Sequence, residues 1–537
     1  MLDTLKTDEA GPDVTRGSLM EQYLDIACEQ APVISQILEQ YGSLPLKSFL
    51  KDLIPKIIRP LQPRADLAEA VFDYAEPLLG APAAKKASDD ILKSPTVLTA
   101  NHHGVDYFSQ SVQGSLLFAL AKQLSDHSIT TVPIFSCGNI PLDNLTYPLG
   151  LLLYHVSDEA LSEIPKKLPL FSNKYRRKMV SVSGPFDRAM VQRAMGRIDK
   201  MIDDREISST LSAPLHDIFE NDYCSPSVMD LKSYSEQSVV LNNRLFKRMF
   251  ENSEEAPDII YLELEKLVYL LLKKDLDDPD SLANRILFHQ PLRNSVFEAL
   301  NQSKACWDMD KLNKRLDADL KDPEAKKSVK GCGTLFFWGI NNAGRRVPLY
   351  LENGHADPGT LKGLDDRGEL FELPYTPQTI TEALKENRLL PSLFTSFMVL
   401  SFARGVSCVG GYYQCEYLPE MQKKLVHALR EHPEYHGFAE RVEEVETRSY
   451  LSGMQTVMSK IEDNALVPSG PVEILAGGGL SENDIEQIIS LNVRDAHLAS
   501  LTETIPDVAP WTLHGSDWKK HLAQETFRML SDKIVVK

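Results

Sequence analysis

The chain has 537 residues, 43% hydrophobic and 25% charged. That is room for about three domains of roughly 100–200 residues, or for one core with large insertions. Its formal net charge of −18 runs against a nucleic-acid binder, which needs a basic face. Seven scattered cysteines without a C-x-x-C pair argue against a zinc ribbon or a thioredoxin-type couple and fit a reducing compartment.

Residues 1–10 read M-L-D-T-L-K-T-D-E-A and hold no apolar signal-type core. No apolar run approaches the ~20 residues of a membrane span. These features predict a cytoplasmic chain without a membrane contact.

In chain order, residues 1–90 carry helical periodicity: Tyr23, Leu24, Ile26, Ala27, Val33, Ile34, Ile37 and Leu38 recur at three- and four-residue steps, interrupted near Pro32. The character changes at Ser94. Residues 95–100, P-T-V-L-T-A, form a short β-favouring run, and a polar turn follows. A helix is predicted over 107–124, with Phe108, Val112, Leu116, Leu120 and Leu124 on one face. Residues 129–135 are a second apolar run, ending in S-C-G-N. Strand, turn, helix, strand is a βαβ unit, which implies a parallel sheet with helices on its faces.

A third strand is predicted at 179–182, followed by a helix carrying Met190, Ala194, Ile198 and Met201. Residues 223–330 read as a helical insertion, with apolar helices at 259–273 and 281–305 and a charge-rich stretch at 311–330. Residues 333–338 and 347–351 look like a hairpin around Asn341-Asn342-Ala343-Gly344-Arg345. Helices at 380–386 and 393–403, a strand at 405–409 entering Gly410-Gly411, and helices at 418–430 and 518–530 complete the pattern. The expected architecture is an α/β, Rossmann-like parallel-sheet core in two parts, 91–222 and 331–537, with a helical N-terminal region, 1–90, and the helical insertion beside it.

Ligands of open parallel sheets bind at the carboxyl ends of the strands, which selects three turns. The first, Asn101-His102-His103-Gly104-Val105-Asp106, offers two imidazoles for proton transfer near neutral pH, a carboxylate, and the N-terminal amides of the next helix. Gly104 would admit a ligand close to the backbone. The plainer alternative is that Asp106 caps the helix and a histidine bonds a carbonyl. The second turn holds Cys137, Gly138, Asn139, Asp143 and Asn144. Cys137 is either a nucleophile activated by a neighbouring histidine or a half-buried small residue. The third turn has Gly410, Gly411 and Glu416, with aromatic residues that could stack on a planar base. His102, His103 and Asp106 are metal-ligand types, but no H-x-H or H-E-x-x-H spacing is present, so no metal is expected. The basic run Lys174-Tyr175-Arg176-Arg177-Lys178 is either a solvated turn or a contact for an anion.

Residues 390–422, L-P-S-L-F-T-S-F-M-V-L-S-F-A-R-G-V-S-C-V-G-G-Y-Y-Q-C-E-Y-L-P-E-M-Q, resemble a stretch of the bacillithiol biosynthesis cysteine-adding enzyme family, in which a hydrophobic strand runs through V-G-G into a helix. Val409-Gly410-Gly411 and Glu416-Tyr417 match that pattern. V-L-T-A-N-H-H-G-V-D-Y-F-S-Q-S-V-Q-G-S-L-L-F-A-L-A-K-Q-L is similar to the family's first strand-turn-helix, V-P-I-F to the strand after it, and L-F-F-W-G-I-N-N-A-G-R-R-V-P-L to its hairpin. The blocks cover about a fifth of the chain. The resemblance implies a Rossmann-like core, a carbon–nitrogen ligase-like activity joining an amino acid, cysteine in that family, to the amino group of a small metabolite, and a nucleotide such as ATP. The N-H-H-G-V-D turn departs from the family's G-Q-Q, and no sustained heptads follow residue 480.

A second resemblance is to glycerolipid acyltransferases, whose N-H-x-S-x-x-D turn pairs a histidine base with an aspartate. Here the interval from His102 to Asp106 is one residue too short and the F-P-E-G-T-R-S block is missing. On the ligase reading, His102, His103 and Asp106 are catalytic. Asn101, Gly104, Cys137, Gly138, Asn139, Asn144, Gly410, Gly411 and Glu416 bind substrate or nucleotide. Acyl transfer through His102 and Asp106 and a non-catalytic binding protein are the alternatives. The partner is a small molecule, and a homo-oligomer stays open.

Overall fold

The computed structural model describes residues 18–55, 60–61, 64–352, 359–461, 464–513, 515 and 517–537. The stretch at residues 1–10 that the sequence reads as free of a signal-type core lies outside them. A five-stranded sheet forms the centre, from β1 (Thr96–Leu98), β2 (Thr131–Ser136), β3 (Asp258–Glu263), β4 (Ser407–Gly411) and β5 (Tyr450–Ser452). All four strand pairs are parallel and the order is β5-β4-β1-β2-β3.

These strands read as continuous apolar runs because both faces of the sheet are covered. Side chains alternate between the faces with a period of two. Val97, Ile260, Leu262 and Cys408 join one core, with the helices Ala65–Leu79 and Ala81–Lys93. Leu98, Ile259, Tyr261 and Val409 join the other. Helix α1 (Ser109–Ser125) links β1 to β2 inside this second layer. It is buried on nearly every side over its first fourteen residues, so its glutamines must find protein partners. Gln113 Nε2 donates to the carbonyls of Val457, at 2.8 Å, and Ser469, at 3.0 Å.

The largest departure from expectation is at residues 259–273. The run splits into β3 and helix α2 (Leu264–Asp277). A strand buried on both faces and a buried helix share one continuous apolar pattern. Ile259, Ile260 and Tyr261 are good strand formers, and β3 pairs with β2 from Thr131↔Asp258 to Ser136↔Glu263. Residues 223–330 are therefore not purely helical, because they supply an edge of the core sheet.

Residues 179–182 are not a strand. Met179 makes one isolated bridge to Pro141, and Val180–Val182 is a 3₁₀ turn. Ser183 Oγ donates to Met179 O at 2.8 Å, a local bond that competes with a ladder. The strand expected at 333–338 is shifted to Phe337–Ile340, because Gly333 and Phe336 have φ of 66° and 58°. It pairs with Arg346–Pro348 through Trp338↔Pro348 and Ile340↔Arg346, as the hairpin reading requires. The helix expected at 281–305 breaks into Leu282–Phe288 and Gln290–Leu300, with Pro291 in the first turn of the second, where its missing N–H costs nothing. The terminal helix, α3 (Trp518–Leu530), lies where expected.

Candidate functional site at the strand ends

The chain runs outward from β1 through β2 to β3, then returns to the far side of β1 with β4 and β5. The connections from β1 and β4 thus diverge, which opens a crevice beyond their carboxyl ends. A cavity of ≈ 1180 Å³ occupies it. All three sequence-selected turns reach its wall: His102 from the first, Cys137, Asn139 and Asn144 from the second, and Gly411, Tyr412, Tyr413 and Gln414 from the third. Residues 302–308, the hairpin residues Trp338 and Arg346, and Glu503 of the C-terminal helix Val493–Val508 complete the enclosure.

The two histidines separate. Beyond β1 the backbone stays extended and paired to the second turn, with His103 N donating to Cys137 O at 2.8 Å and Cys137 N to Asn101 O at 3.0 Å. Alternation therefore sends neighbouring side chains in opposite directions. His102 faces the cavity. Among the described residues no hydrogen bond engages its ring, and Nδ1 is buried without a partner. Burial pushes its pKa down to about 4, so the imidazole is neutral at neutral pH. His103 is fully buried and corrects the catalytic expectation. Its Nδ1 lies 2.7 Å from Ser136 Oγ and its Nε2 2.9 Å from Ser235 Oγ, while the Ser235 hydroxyl donates to Glu263. It ties β1, β2 and the helix Tyr234–Arg248 together and does not reach the cavity.

Asp106 is also corrected. Its Oδ1 accepts from Phe108 N at 3.2 Å, and its Oδ2 from Asn101 Nδ2 and the Tyr261 hydroxyl, each at 3.2 Å. Burial raises its pKa to about 7. It closes the turn into α1 and makes no bond to the His102 ring, so the base–aspartate pair of an acyltransferase is not assembled. Asn101 is fully buried and ties the turn to α1 through Ser115 Oγ at 3.0 Å. Gly104 has φ of 137°, and a Cβ there would lie 2.9 Å from Pro148. Its tight approach is to protein, not to a ligand.

The other glycines divide the same way. Gly138 N donates to Glu265 Oε2 at 2.7 Å, and a Cβ on it would lie 2.9 Å from Glu263. Gly410 packs on the folded-back side chain of Gln414. Of the glycines chosen from the sequence, Gly411 lines the cavity, with nothing nearer to its Cβ direction than Ser452 at 3.5 Å. Glu416 is outside the wall and pairs with Lys304. Cys137 Sγ donates to Glu265 Oε1 at 3.2 Å. Burial and that carboxylate push the thiol pKa up, which disfavours the thiolate that a nucleophile needs.

Three wall residues were not legible as site residues. Glu265, at the start of α2, accepts from Gly138 N and from Asn139 N, the latter at 3.0 Å, so it fills the amide nest at the end of β2. Burial, then the charge of Glu263, raises its pKa to about 7. Glu503 does the same at the N-terminus of α1, accepting from Gln110 N at 3.0 Å, from Gln455 Nε2 at 2.6 Å and from the Tyr154 hydroxyl. Burial raises its pKa to about 8. Arg346 stands over Trp338, 4.7 Å from the ring centroid, and its Nη1 donates to Asn139 O at 3.1 Å. Asn139 Oδ1 and Asn144 Nδ2 are buried without partners among the described residues.

Two cations of the basic run are paired: Arg176 with Asp143 at 2.9 Å and Arg177 with Asp366 at 2.8 Å. Among the described residues no group of three or more metal-ligand side chains converges, and no helix is long and apolar enough to cross a membrane.

The fold and site thus define an α/β protein with a parallel-sheet core and a strand-end cavity that holds one uncommitted imidazole. No protein-family model, no curated protein and no solved structure matches the chain.

Proposed function

We propose that the chain is a carbon–nitrogen ligase-like enzyme on a Rossmann-type core, joining an amino acid to the amino group of a small metabolite. The observation that carries this reading is His102, a neutral imidazole without a protein partner, facing a cavity of ≈ 1180 Å³ onto which all three strand-end turns open. That volume exceeds the roughly 300–1,000 Å³ of a one-ligand pocket and suits two reactants held together. The order β5-β4-β1-β2-β3 supports the Rossmann-type assignment. The block resemblance to the cysteine-adding family supports the amino acid.

Amide formation at neutral pH needs an activated carboxyl, and a nucleotide such as ATP would supply it: the carboxylate oxygen bonds to phosphorus as a phosphoanhydride bond breaks, releasing ADP on the acyl-phosphate route or pyrophosphate on the acyl-adenylate route. The nucleotide has no room at the start of α1, where Asp106, Tyr154 and Glu503 already take the amides of Phe108, Ser109 and Gln110. On this reading it lies along Gly411, Tyr412 and Tyr413, with a tyrosine under the base. His102 takes the proton from the attacking amine. The nitrogen bonds to the acyl carbon as the carbon–oxygen bond to the phosphate or nucleotide breaks. Glu503 and Glu265, holding protons up to about 8 and about 7, protonate the leaving oxygen.

The test is incubation of the protein with ATP, single amino acids and a panel of amino sugars and diamines, with mass spectrometry of the products. The expected result is an amide formed with stoichiometric ATP cleavage, lost about a hundredfold or more in His102→Ala. Full activity in His102→Ala, or no nucleotide-dependent product across the panel, overturns the proposal.

A further inference from the structure

Anions in parallel α/β proteins ordinarily sit on the amides at strand ends and helix N-termini. Two of those positions are filled from within, by Glu265 at the end of β2 and by Glu503 at the start of α1. An anionic ligand group must therefore find a cation elsewhere on the wall. Lys304 is paired with Glu416, and Lys311 with Asp308 at 3.1 Å. Arg346 differs. Its Nη1 is held by Asn139 O and its face by Trp338, but no described carboxylate lies within ion-pair distance of it.

The guanidinium is thus fixed in place with Nε and Nη2, one edge of its fork, left without a protein acceptor among the described residues. Beside it Asn139 is only 6% exposed and lines the same cavity. Its Nδ2 faces Pro391 O at 3.5 Å, which sets the amide orientation and leaves Oδ1 as a buried acceptor with no donor. A buried polar atom without a partner costs free energy unless a ligand or water satisfies it.

We infer that Arg346 and Asn139 form a carboxylate subsite, taking a ligand whose carboxylate has an N–H or O–H donor on the neighbouring carbon; this deepens the ligase reading and rests on it for the role of the bound carboxylate. A planar carboxylate matches the Nε–Nη2 edge with two parallel bonds. The adjacent donor meets Asn139 Oδ1. One guanidinium balances one negative charge. A phosphate dianion would carry a second, and the two lysines of the same wall, Lys304 and Lys311, are already paired.

Isothermal calorimetry on the full chain distinguishes these ligands. The probes are L-serine, L-lactate, serinol, which lacks the carboxylate, propionate, which lacks the donor, and inorganic phosphate, each at millimolar concentration. L-Serine or L-lactate is expected to bind, with propionate about tenfold weaker and serinol and phosphate silent. Arg346→Met should abolish carboxylate binding and Asn139→Leu should erase the preference for L-serine or L-lactate over propionate. Circular dichroism and melting checks that both variants are folded. If Asn139→Leu fails to fold, Asn139→Ser replaces it. Carboxylate binding that survives Arg346→Met, phosphate binding that depends on Arg346, or silence with every carboxylate overturns the inference. Arg346-dependent binding without nucleotide-dependent product would instead retain the subsite and sink the ligase reading. Product formation with carboxylate binding indifferent to Arg346 would do the reverse.

Discussion

His102 and His103 are adjacent in the chain and have opposite surroundings. One ring is fully buried with both nitrogens engaged, by Ser136 and Ser235. The other has no ring hydrogen bond among the described residues and lines the strand-end cavity. The difference follows from extended backbone, in which successive side chains point to opposite faces. A histidine pair at a strand end is therefore one structural residue and one available residue, and only the partners reveal which is which.

Replacing His103 is the strongest way to break the contrast. His103→Ala leaves the Ser136 and Ser235 hydroxyls around a vacated site, and a loss of about 3 kcal/mol or more is expected in denaturant unfolding. A variant as stable as the parent would show that His103 is not a tie. His102→Ala is the matching probe. Stability should change by less than about 1 kcal/mol, because no hydrogen bond is lost, while turnover falls about a hundredfold or more.

A smaller effect separates the carboxyls from the imidazole by pH. Glu503 has a folded pKa of about 8, above its unfolded value, so the folded chain keeps a proton that the unfolded chain releases. Its stabilising contribution is present below the ordinary carboxylate range and is lost as pH rises toward about 8. His102 acts in the other direction. Its folded pKa of about 4 makes stability fall as pH drops from about 6.5 toward that value. Unfolding of Glu503→Gln, measured from pH about 5 to about 9, should lack the decline in stability that the parent shows as pH rises through that range toward about 8. The smallest effect belongs to the exposed basic run: Arg176→Ala removes a surface ion pair with Asp143 and should shift stability by no more than about 0.5 kcal/mol.

Much of the core was legible. The β1-turn-α1-β2 unit showed itself through a change from helical period to short β-favouring runs, and the strand-end rule selected three turns that do meet in one cavity. β3 was not legible, because D-I-I-Y-L-E followed by L-E-K-L-V-Y reads as one apolar run whether it is strand or helix. That miss concealed Glu265, whose place at a strand end would have drawn notice had the strand been recognised. Arg346 and Glu503 reach the site from more than 200 residues beyond the second turn, and no local spacing announces such a contact. Asp106, Gly104, Gly138 and Gly410 were chosen for sound local reasons, but their conformational and hydrogen-bonding roles are filled by the protein itself.

The central claim is that His102 and not His103 faces the cavity, and the most direct test is residue-resolved chemical modification. Diethylpyrocarbonate acylates accessible neutral imidazoles, and fragment-ion mass spectrometry separates adjacent residues. At neutral pH the native protein should acquire the label on His102 and none on His103 until it is unfolded. Equal labelling of both, or labelling of His103 alone, would contradict the account.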